Sequence, residues 1–168
     1  MRSASSRWHG LEFGLIADET GLTEVVLPNQ WTGERKRQVT EDQDFMRPYL
    51  DQFDAYWAGE LRQWTLPLHF GGTMFQHAVW AALADIPYGS VVTYQAVAQQ
   101  IGRPRAVRAV AAAVGKNPLA VVLPCHRVVG TDHTLTGYGG GLELKKQLLQ
   151  LEGVTEMLKP SGHARFAF

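Results

Sequence analysis

The chain has 168 residues, 45% of them hydrophobic, and its 16 basic residues balance 16 acidic ones; this excludes a disordered chain and a coiled coil. It has no apolar run near the roughly 18 residues of a membrane span and no apolar signal core, so we expect a cytoplasmic protein without a membrane partner. The single cysteine, Cys125, excludes an internal disulfide and a zinc site built from several cysteines.

Two apolar runs near the N-terminus predict the first folded element. Leu11–Ala17 and Leu22–Leu27 lie on either side of a polar turn, which is the pattern of a β-hairpin. The following residues, 29–40, are polar and predict a loop, in which Trp31 stands alone among charged residues. This part of the sequence shows no residue pattern that is typical of a catalytic site.

Aromatic residues between positions 42 and 57 recur at helical spacing and predict a helix. Pro48 lies inside this window, so the helix either begins there or is kinked. An aromatic stripe can stack on nucleobases, but it more often packs a helix onto a sheet, and we adopt the packing interpretation. Proline and paired glycines at residues 66–72 predict a boundary between a domain of residues 1–70 and one of residues 71–168.

The second half of the chain contains the signals of short, capped helices. Thr73 and Gln76 match a capping box that begins a helix. Tyr94–Ile101 and Pro104–Val114 then predict two short helices joined by a turn at Gly102. Two such helices form a helix-turn-helix pattern, which is typical of DNA-binding proteins and also occurs in ordinary helical cores.

The helix pair lies in a segment without acidic residues, from Asp85 to Asp132, to which a polyanion would be attracted. Arg105 and Arg108 are three residues apart, so we expect them to share one side of the second helix. The remaining side chains of that helix are small, Ala109 included, and allow close approach to a groove. A solvated basic edge on a buried, alanine-rich helix is the alternative interpretation.

The cysteine follows a continuous apolar run, Ala120–Leu123, which predicts a buried strand. A lone cysteine is most often a small buried hydrophobe. Here His126 and Arg127 follow Cys125 directly, and a thiol needs such basic or cationic neighbours to become a useful thiolate. His126 could act as a base, directly or through water, and Arg127 could stabilise the anion or fix the loop. We therefore expect Cys125 to be poised as a thiolate nucleophile.

Glycines at residues 137–141 precede a predicted amphipathic helix, Leu142–Leu151. A glycine-rich stretch that opens a helix can cradle phosphate, but this one lacks the Walker lysine and the Rossmann spacing, so we expect no nucleotide cofactor. The glycines instead allow backbone N–H groups to approach a flat ligand beside Tyr138.

Several short motifs occur together in this half of the chain: Ile86-Pro-Tyr-Gly, Thr93-Tyr94, Arg108-Ala-Val, Asn117-Pro, Pro124-Cys-His-Arg-Val128, Gly137-Tyr-Gly-Gly140 and Leu148-Leu-Gln-Leu-Glu152-Gly. In order and spacing they resemble the O6-alkylguanine-DNA alkyltransferases over about residues 73–153, whereas the first 70 residues match only in outline. The resemblance implies an α/β N-terminal domain similar to the ribonuclease-H fold. It also implies a mainly helical C-terminal domain with a winged-helix-like helix-turn-helix.

Members of this family repair DNA by direct, irreversible transfer of an alkyl group from O6-alkylguanine to a cysteine. The resemblance therefore implies a self-inactivating methyltransferase in which Cys125 is the acceptor. It implies no cofactor, no metal, and a monomer that binds double-stranded DNA in the minor groove. Two alternatives stay open: a damage sensor of the alkyltransferase-like type, which lacks the acceptor cysteine, and a helix-turn-helix transcription factor with a structural cysteine.

The resemblance also implies roles for residues around the cysteine. His126 would activate the thiol through a water, and Glu152 would orient the imidazole. Asn117 would hold the active-site turn in place. Tyr94 would rotate the damaged nucleotide out of the duplex and assist the leaving guanine, while Arg108 would fill the vacated space in the base stack.

The remaining implied residues belong to the base pocket and the DNA surface. Val128 and Tyr138 would line the pocket, with the backbone at Gly139 near the guanine oxygen. Arg105 and Ala109 would contact DNA beside the inserted arginine.

Overall fold

The computed structural model describes residues 1–131 and 135–155. They form a mixed α/β structure with a four-stranded sheet, a two-stranded sheet and several α-helices. None of the helices in this part of the chain has the length and apolarity that a membrane crossing requires.

The chain divides into two compact units. The first consists of Met1–Gly71 together with Pro118–Val122, and the second of Gly72–Asn117 together with the described residues from Leu123 onward. The chain enters the first unit twice, because Leu119 forms a β-bridge to the sheet of that unit.

The sheet of the first unit has the strand order β3-β2-β1-β4. Its strands are β1 (Arg2–Trp8), β2 (Leu11–Ala17), β3 (Leu22–Val26) and β4 (Thr40–Glu41). The first three are antiparallel neighbours, and β4 pairs in parallel with the start of β1. The predicted hairpin is confirmed as β2 and β3. Strand β1 was not predicted, because its serine-rich sequence lacks the apolar run that signals a strand.

The prediction of a loop at residues 29–40 was incomplete. The segment contains a short helix, α1 (Gly33–Arg37), capped by the side chain of Thr32. Trp31 is buried against Ile16 and its indole nitrogen donates to Ser5 Oγ over 2.9 Å. A Cβ at Gly14 would collide with the indole ring, so the glycine leaves room for Trp31.

Helix α2 (Arg47–Trp57) begins with Pro48 in its first turn, so the starting position, rather than a kink, is confirmed. The aromatic stripe of α2 is buried within the first unit. Trp57 stacks on Trp8 with ring centroids 4.8 Å apart, and its indole nitrogen donates to Ser6 Oγ over 2.9 Å. The packing interpretation of the stripe is therefore confirmed.

The second unit contains a cluster of short helices. Helix α3 (Met74–Ala84) begins at the predicted capping box, in which Thr73 and Gln76 satisfy each other's backbone N–H groups. Helices α4 (Tyr94–Gln100) and α5 (Val107–Gly115) follow as the predicted pair, with a left-handed glycine in the turn between them. Trp80 of α3 donates to the Ala113 carbonyl of α5 over 2.8 Å and locks the two helices together.

Arg105 does not lie on the second helix, contrary to the prediction. Helix α5 begins only at Val107, and Arg105 occupies the turn before it. The Pro104 carbonyl accepts a hydrogen bond from Gln95 Nε2, and the Ala106 N–H donates to the Arg103 carbonyl. These bonds close a turn. In the expected helix, the Arg103 and Pro104 carbonyls would instead accept the first backbone hydrogen bonds of the helix.

The apolar run Ala120–Leu123 is a buried turn, so the prediction of a buried strand there was wrong. Val121 has a left-handed backbone, with φ of +74°, so the segment cannot be extended. Asn117 Nδ2 donates to the Leu123 carbonyl over 2.7 Å and closes the loop. A short buried apolar run looks the same in a turn and in a strand, so its composition misled the prediction.

The cysteine segment joins the helix pair through a short parallel sheet. Residues Cys125–Arg127 form one 3₁₀ turn, followed by β6 (Val128–Val129), which pairs with β5 (Val92–Thr93). Since β5 leads directly into α4, this pairing brings the start of α4 beside the cysteine segment. Helix α6 (Leu142–Leu151) is confirmed, and Glu152 caps its C-terminus.

Candidate active site

The Cys125 thiol is buried at the start of the 3₁₀ turn and faces polar side chains. Its electrostatic neighbours are Asn117, Tyr138 and Lys145. Asn117 is fixed at the end of α5 by its bond to the Leu123 carbonyl, which also accepts the Cys125 N–H over 2.7 Å. Two hydrogen bonds to the Leu123 carbonyl therefore fix the backbone that precedes Cys125.

Burial acts against the expectation that Cys125 is poised as a thiolate in the resting protein. Burial raises the pKa of the Cys125 thiol, although the Asn117 side chain and the Lys145 charge act in the opposite direction. The sulfur is therefore protonated at neutral pH, and a reaction at this atom requires a base.

His126, the next residue in the chain, is the candidate for that base. Its ring is fully buried, and Nε2 lies 2.8 Å from Glu152 Oε2. A carboxylate only accepts hydrogen bonds, so Nε2 carries the proton and, in the neutral ring, Nδ1 is an acceptor. Nδ1 is buried and has no hydrogen-bond partner among the described residues.

Glu152 is held as an anion by two neighbours. Burial alone would raise the pKa of the Glu152 carboxyl, but the hydrogen bonds from His126 and Arg127, together with the Arg127 charge, hold it well below its usual range. Arg127 Nε and Nη2 donate to the two carboxylate oxygens over 2.7 and 2.9 Å. Of the two roles left open for Arg127, fixing the local structure is the one that these contacts support.

Tyr94 and Tyr138 bring two hydroxyl groups into the same buried region. The Thr136 hydroxyl donates to the Tyr94 hydroxyl over 3.2 Å, and burial raises the pKa of Tyr94 above its usual value. Burial also raises the pKa of Tyr138. The Tyr138 hydroxyl has no hydrogen bond of good geometry with any described residue. Both phenols therefore remain protonated and can donate to a bound group.

Three of the four predicted DNA-contact residues, Arg105, Arg108 and Ala109, lie on the exposed side of α5 or just before it, whereas the fourth, Tyr94, is buried at the start of α4. Arg108 and Ala109 are exposed, whereas Val110 and Ala111 are buried. Arg105 is also exposed, in the preceding turn. The helix thus buries one face in the second unit and presents a basic, small-residue face to solvent.

Comparisons with known proteins agree with this arrangement. A protein-family model described as the 6-O-methylguanine DNA methyltransferase DNA-binding domain matches residues 74–154. A methylated-DNA–protein-cysteine methyltransferase from Methanosarcina acetivorans is 46% identical over 143 residues, which are 83% of this chain and 90% of that protein. The chain belongs to the methylated-DNA–protein-cysteine methyltransferase family.

Solved structures of family members have the same fold. The crystal structure of Mycobacterium tuberculosis OGT in complex with DNA has 41% sequence identity to this chain and a TM-score of 0.80. The likeness covers 90% of this chain and 91% of that one. All the site residues inferred from the sequence lie inside the segment that the family model matches, between Tyr94 and Glu152.

One residue of the site was missed in the sequence. Lys145 of α6 is fully buried, and its Nζ donates to the Val128 and Thr136 carbonyls over 2.7 and 3.4 Å. Burial lowers the pKa of Lys145 to about 8, with the Cys125 thiol acting weakly in the opposite direction. The signal was present, because Lys145 occupies a core position of α6 between Leu144 and Leu148, both of which are buried.

Val128 and Gly139 are the other two residues expected at the base pocket. Val128 lies three residues after Cys125, and Gly139 follows Tyr138 directly. Val128 is fully buried and begins β6, and its carbonyl is oriented by Lys145. Gly139 is half-buried next to Tyr138. The structure thus gathers the Cys125 thiol, the hydrogen-bonded His126–Glu152 pair and two phenols within one unit of this family member.

Proposed function

We propose that this protein repairs DNA by transferring an alkyl group directly and irreversibly from O6-alkylguanine to Cys125. The observation that carries the proposal is the buried Cys125 thiol, which is followed in the chain by a histidine whose Nε2 is hydrogen-bonded to the Glu152 carboxylate. Family membership, at 46% identity over most of the chain, supports the same reaction.

The reaction needs the thiol proton to be removed. His126 Nδ1 accepts it through an intervening water, and the imidazolium that forms is stabilised by Glu152 at Nε2. The resulting thiolate attacks the alkyl carbon, so that a sulfur–carbon bond forms and the carbon–oxygen bond breaks. The electron pair goes to the guanine, and the Tyr94 hydroxyl assists its departure by donating to the anion. A thioether offers no good leaving group, so each molecule reacts once.

A base inside the duplex cannot present its alkyl carbon to a buried sulfur, so the damaged nucleotide must be flipped out. We assign Val128, Tyr138 and the backbone at Gly139 to the pocket that receives the base. Arg108 is exposed at the start of α5, from which its long side chain can fill the space that the base leaves in the stack.

The DNA surface consists of α4, α5 and the turn between them. We propose that this pair is a winged-helix-like helix-turn-helix that enters the minor groove, where Arg105 and Ala109 lie beside Arg108. Small side chains on the exposed face of α5 permit close approach, and recognition through phosphates and groove shape is largely independent of sequence. The first unit, by the same resemblance, has a ribonuclease-H-like fold, and the protein acts as a monomer.

The competing reading is a damage sensor of the alkyltransferase-like type, and Cys125 argues against it because such sensors lack the acceptor. Duplex DNA carrying a labelled O6-methyl group separates the two. We expect the label to move from DNA to protein and to saturate at one methyl per chain. Retention of all label on the DNA, with tight binding to the damaged duplex, would support the sensor instead. A transcription factor would give a sequence-specific footprint without preference for the lesion.

A further inference from the structure

Arg127 is buried, and each of its three guanidinium nitrogens donates one hydrogen bond to a fixed acceptor. Nε and Nη2 bind the two oxygens of Glu152, and Nη1 donates to the Ile86 carbonyl over 2.6 Å. The guanidinium also lies 5.7 Å from the centroid of the Tyr88 ring. None of these contacts reaches the sulfur, so Arg127 acts on the reaction through another residue.

That residue is His126, because both side chains share the same carboxylate. Glu152 Oε2 accepts from His126 Nε2 and from Arg127 Nη2 at once. A buried carboxylate beside an imidazole favours the doubly protonated ring unless another cation neutralises it. A doubly protonated ring carries a proton on Nδ1 and cannot accept a second one from the thiol.

We infer that Arg127 is a positioning residue that keeps His126 uncharged before the reaction by neutralising Glu152 and holding its carboxylate in a fixed plane. The inference rests on the proposed function, in which His126 is the base. The fork of the guanidinium matches both carboxylate oxygens, which a lysine ammonium cannot do.

The other groups that surround the site favour the same charge state. Within residues 1–131 and 135–155, the ionisable side chains that face Cys125, His126 or Glu152 are Tyr94, Cys125, Arg127, Tyr138, Lys145 and Glu152. Cys125 and the two tyrosines are uncharged at neutral pH. Lys145 is cationic and faces the Cys125 thiol, and Arg127 is cationic and binds Glu152, so a charged imidazole would add a third positive group to this buried region.

The same arginine connects the end of α6 to the turn at Ile86-Pro-Tyr-Gly. The Tyr88 hydroxyl donates to the Leu151 carbonyl over 3.3 Å, and a Cβ at Gly89 would lie 3.3 Å from the Glu152 carbonyl. The motif therefore packs closely on the residue that carries the carboxylate. This explains why a segment without chemistry of its own accompanies the cysteine motif.

The test is the pH dependence of single-turnover transfer in R127Q, R127K and the wild type. Loss of the cation in R127Q should lower the rate at pH 7 about tenfold or more, with recovery as the pH rises. R127K keeps the charge, so its profile should keep the wild-type shape at a lower plateau. In R127Q/E152Q the carboxylate is gone, and the shift along the pH axis should disappear. An equal loss of rate at every pH in R127Q would overturn the inference.

A second measurement does not depend on transfer. In ¹⁵N-labelled protein at neutral pH, wild-type His126 should show one protonated and one unprotonated ring nitrogen, and R127Q should retain both protons up to a higher pH. A doubly protonated ring in the wild type, or identical titrations in both proteins, would contradict the inference. Absence of methyl transfer by the wild type would defeat the proposed function alone, because this titration would still report the charge of His126.

Discussion

The second unit contains two regions that differ in how their side chains are held. In the buried region Cys125, His126 and Glu152 are enclosed, and a hydrogen bond joins His126 to Glu152. On the exposed face of α5, Arg108 and Ala109 project into solvent. The difference suits two separate tasks: the buried residues are candidates for the transfer reaction, and the exposed face of α5 is a candidate for DNA contact. Substitutions in the two regions should therefore separate chemistry from DNA binding.

The largest effect is expected from H126N. Without the imidazole the thiol has no base, and because burial raises the pKa of Cys125, only a small fraction is ionised at pH 7. Transfer at pH 7 should fall about 10²- to 10⁴-fold, with a steady rise toward alkaline pH, while affinity for the duplex stays unchanged. Single-turnover rates and DNA titrations on the same protein measure both. The matched control is H9N on the exposed surface, which should have no effect; a wild-type rate in H126N would remove the base from the account.

R108A should have the next largest effect, and this effect should depend on duplex DNA. Loss of the inserted side chain should slow transfer from duplex DNA about 10- to 100-fold, since such a contact contributes about 1–3 kcal/mol. Transfer from the free base O6-benzylguanine should remain at the wild-type rate. R37A, which removes one exposed positive charge in the first unit, serves as the control. Equal slowing on the free base would show that Arg108 acts on the reaction rather than on the DNA.

K145M tests the buried lysine that the sequence did not reveal. The variant leaves the Val128 and Thr136 carbonyls without their donor, which should cost about 1–3 kcal/mol of unfolding free energy. Because the pKa of Lys145 is lowered to about 8, the unfolded chain binds more protons above that pH, and this residue makes stability rise with pH.

Urea unfolding at pH 7 and pH 9.5 checks both effects of K145M. The stability difference between wild type and variant should grow in favour of the wild type as the pH rises. K146M, at the exposed neighbouring position, should change neither value. A difference that stays constant with pH would mean that Lys145 is not perturbed by burial.

R105A is expected to have the smallest effect. Arg105 lies in the turn before α5 and not on the helix, so its substitution should remove one phosphate contact and no intercalating group. Duplex affinity should fall about two- to threefold, with a reduced slope of affinity against salt concentration. If R105A and R108A reduced duplex affinity by the same factor, the original expectation that the two arginines act from one face would be restored.

Local sequence signals predicted the regular elements well where capping and periodicity agree. The capping box at Thr73, the proline at the start of α2 and the glycine after α4 each mark an element that the structure contains. Local sequence signals failed where a segment is stabilised by residues that are distant in the sequence. Strand β1 is polar and is stabilised by its neighbours in the sheet, and Ala120–Leu123 forms a turn because Asn117 closes it.

The candidate site was predictable in its composition and not in its electrostatics. The motif around Cys125 identified the residues, because their order is specific to a family. The protonated state of the thiol depends on how completely the sulfur is buried, which no local pattern records. The shared carboxylate of His126 and Arg127 likewise depends on Glu152, which lies 25 residues from Arg127 along the chain.

The most direct measurement is the mass of the peptide that contains Cys125 after the protein has reacted with one equivalent of O6-methylguanine duplex. We expect complete conversion to a stable adduct heavier by one methylene, with no change in C125A, which should still bind the duplex. An unmodified Cys125 peptide from protein that has fully repaired the DNA would contradict the assignment of this sulfur as the acceptor.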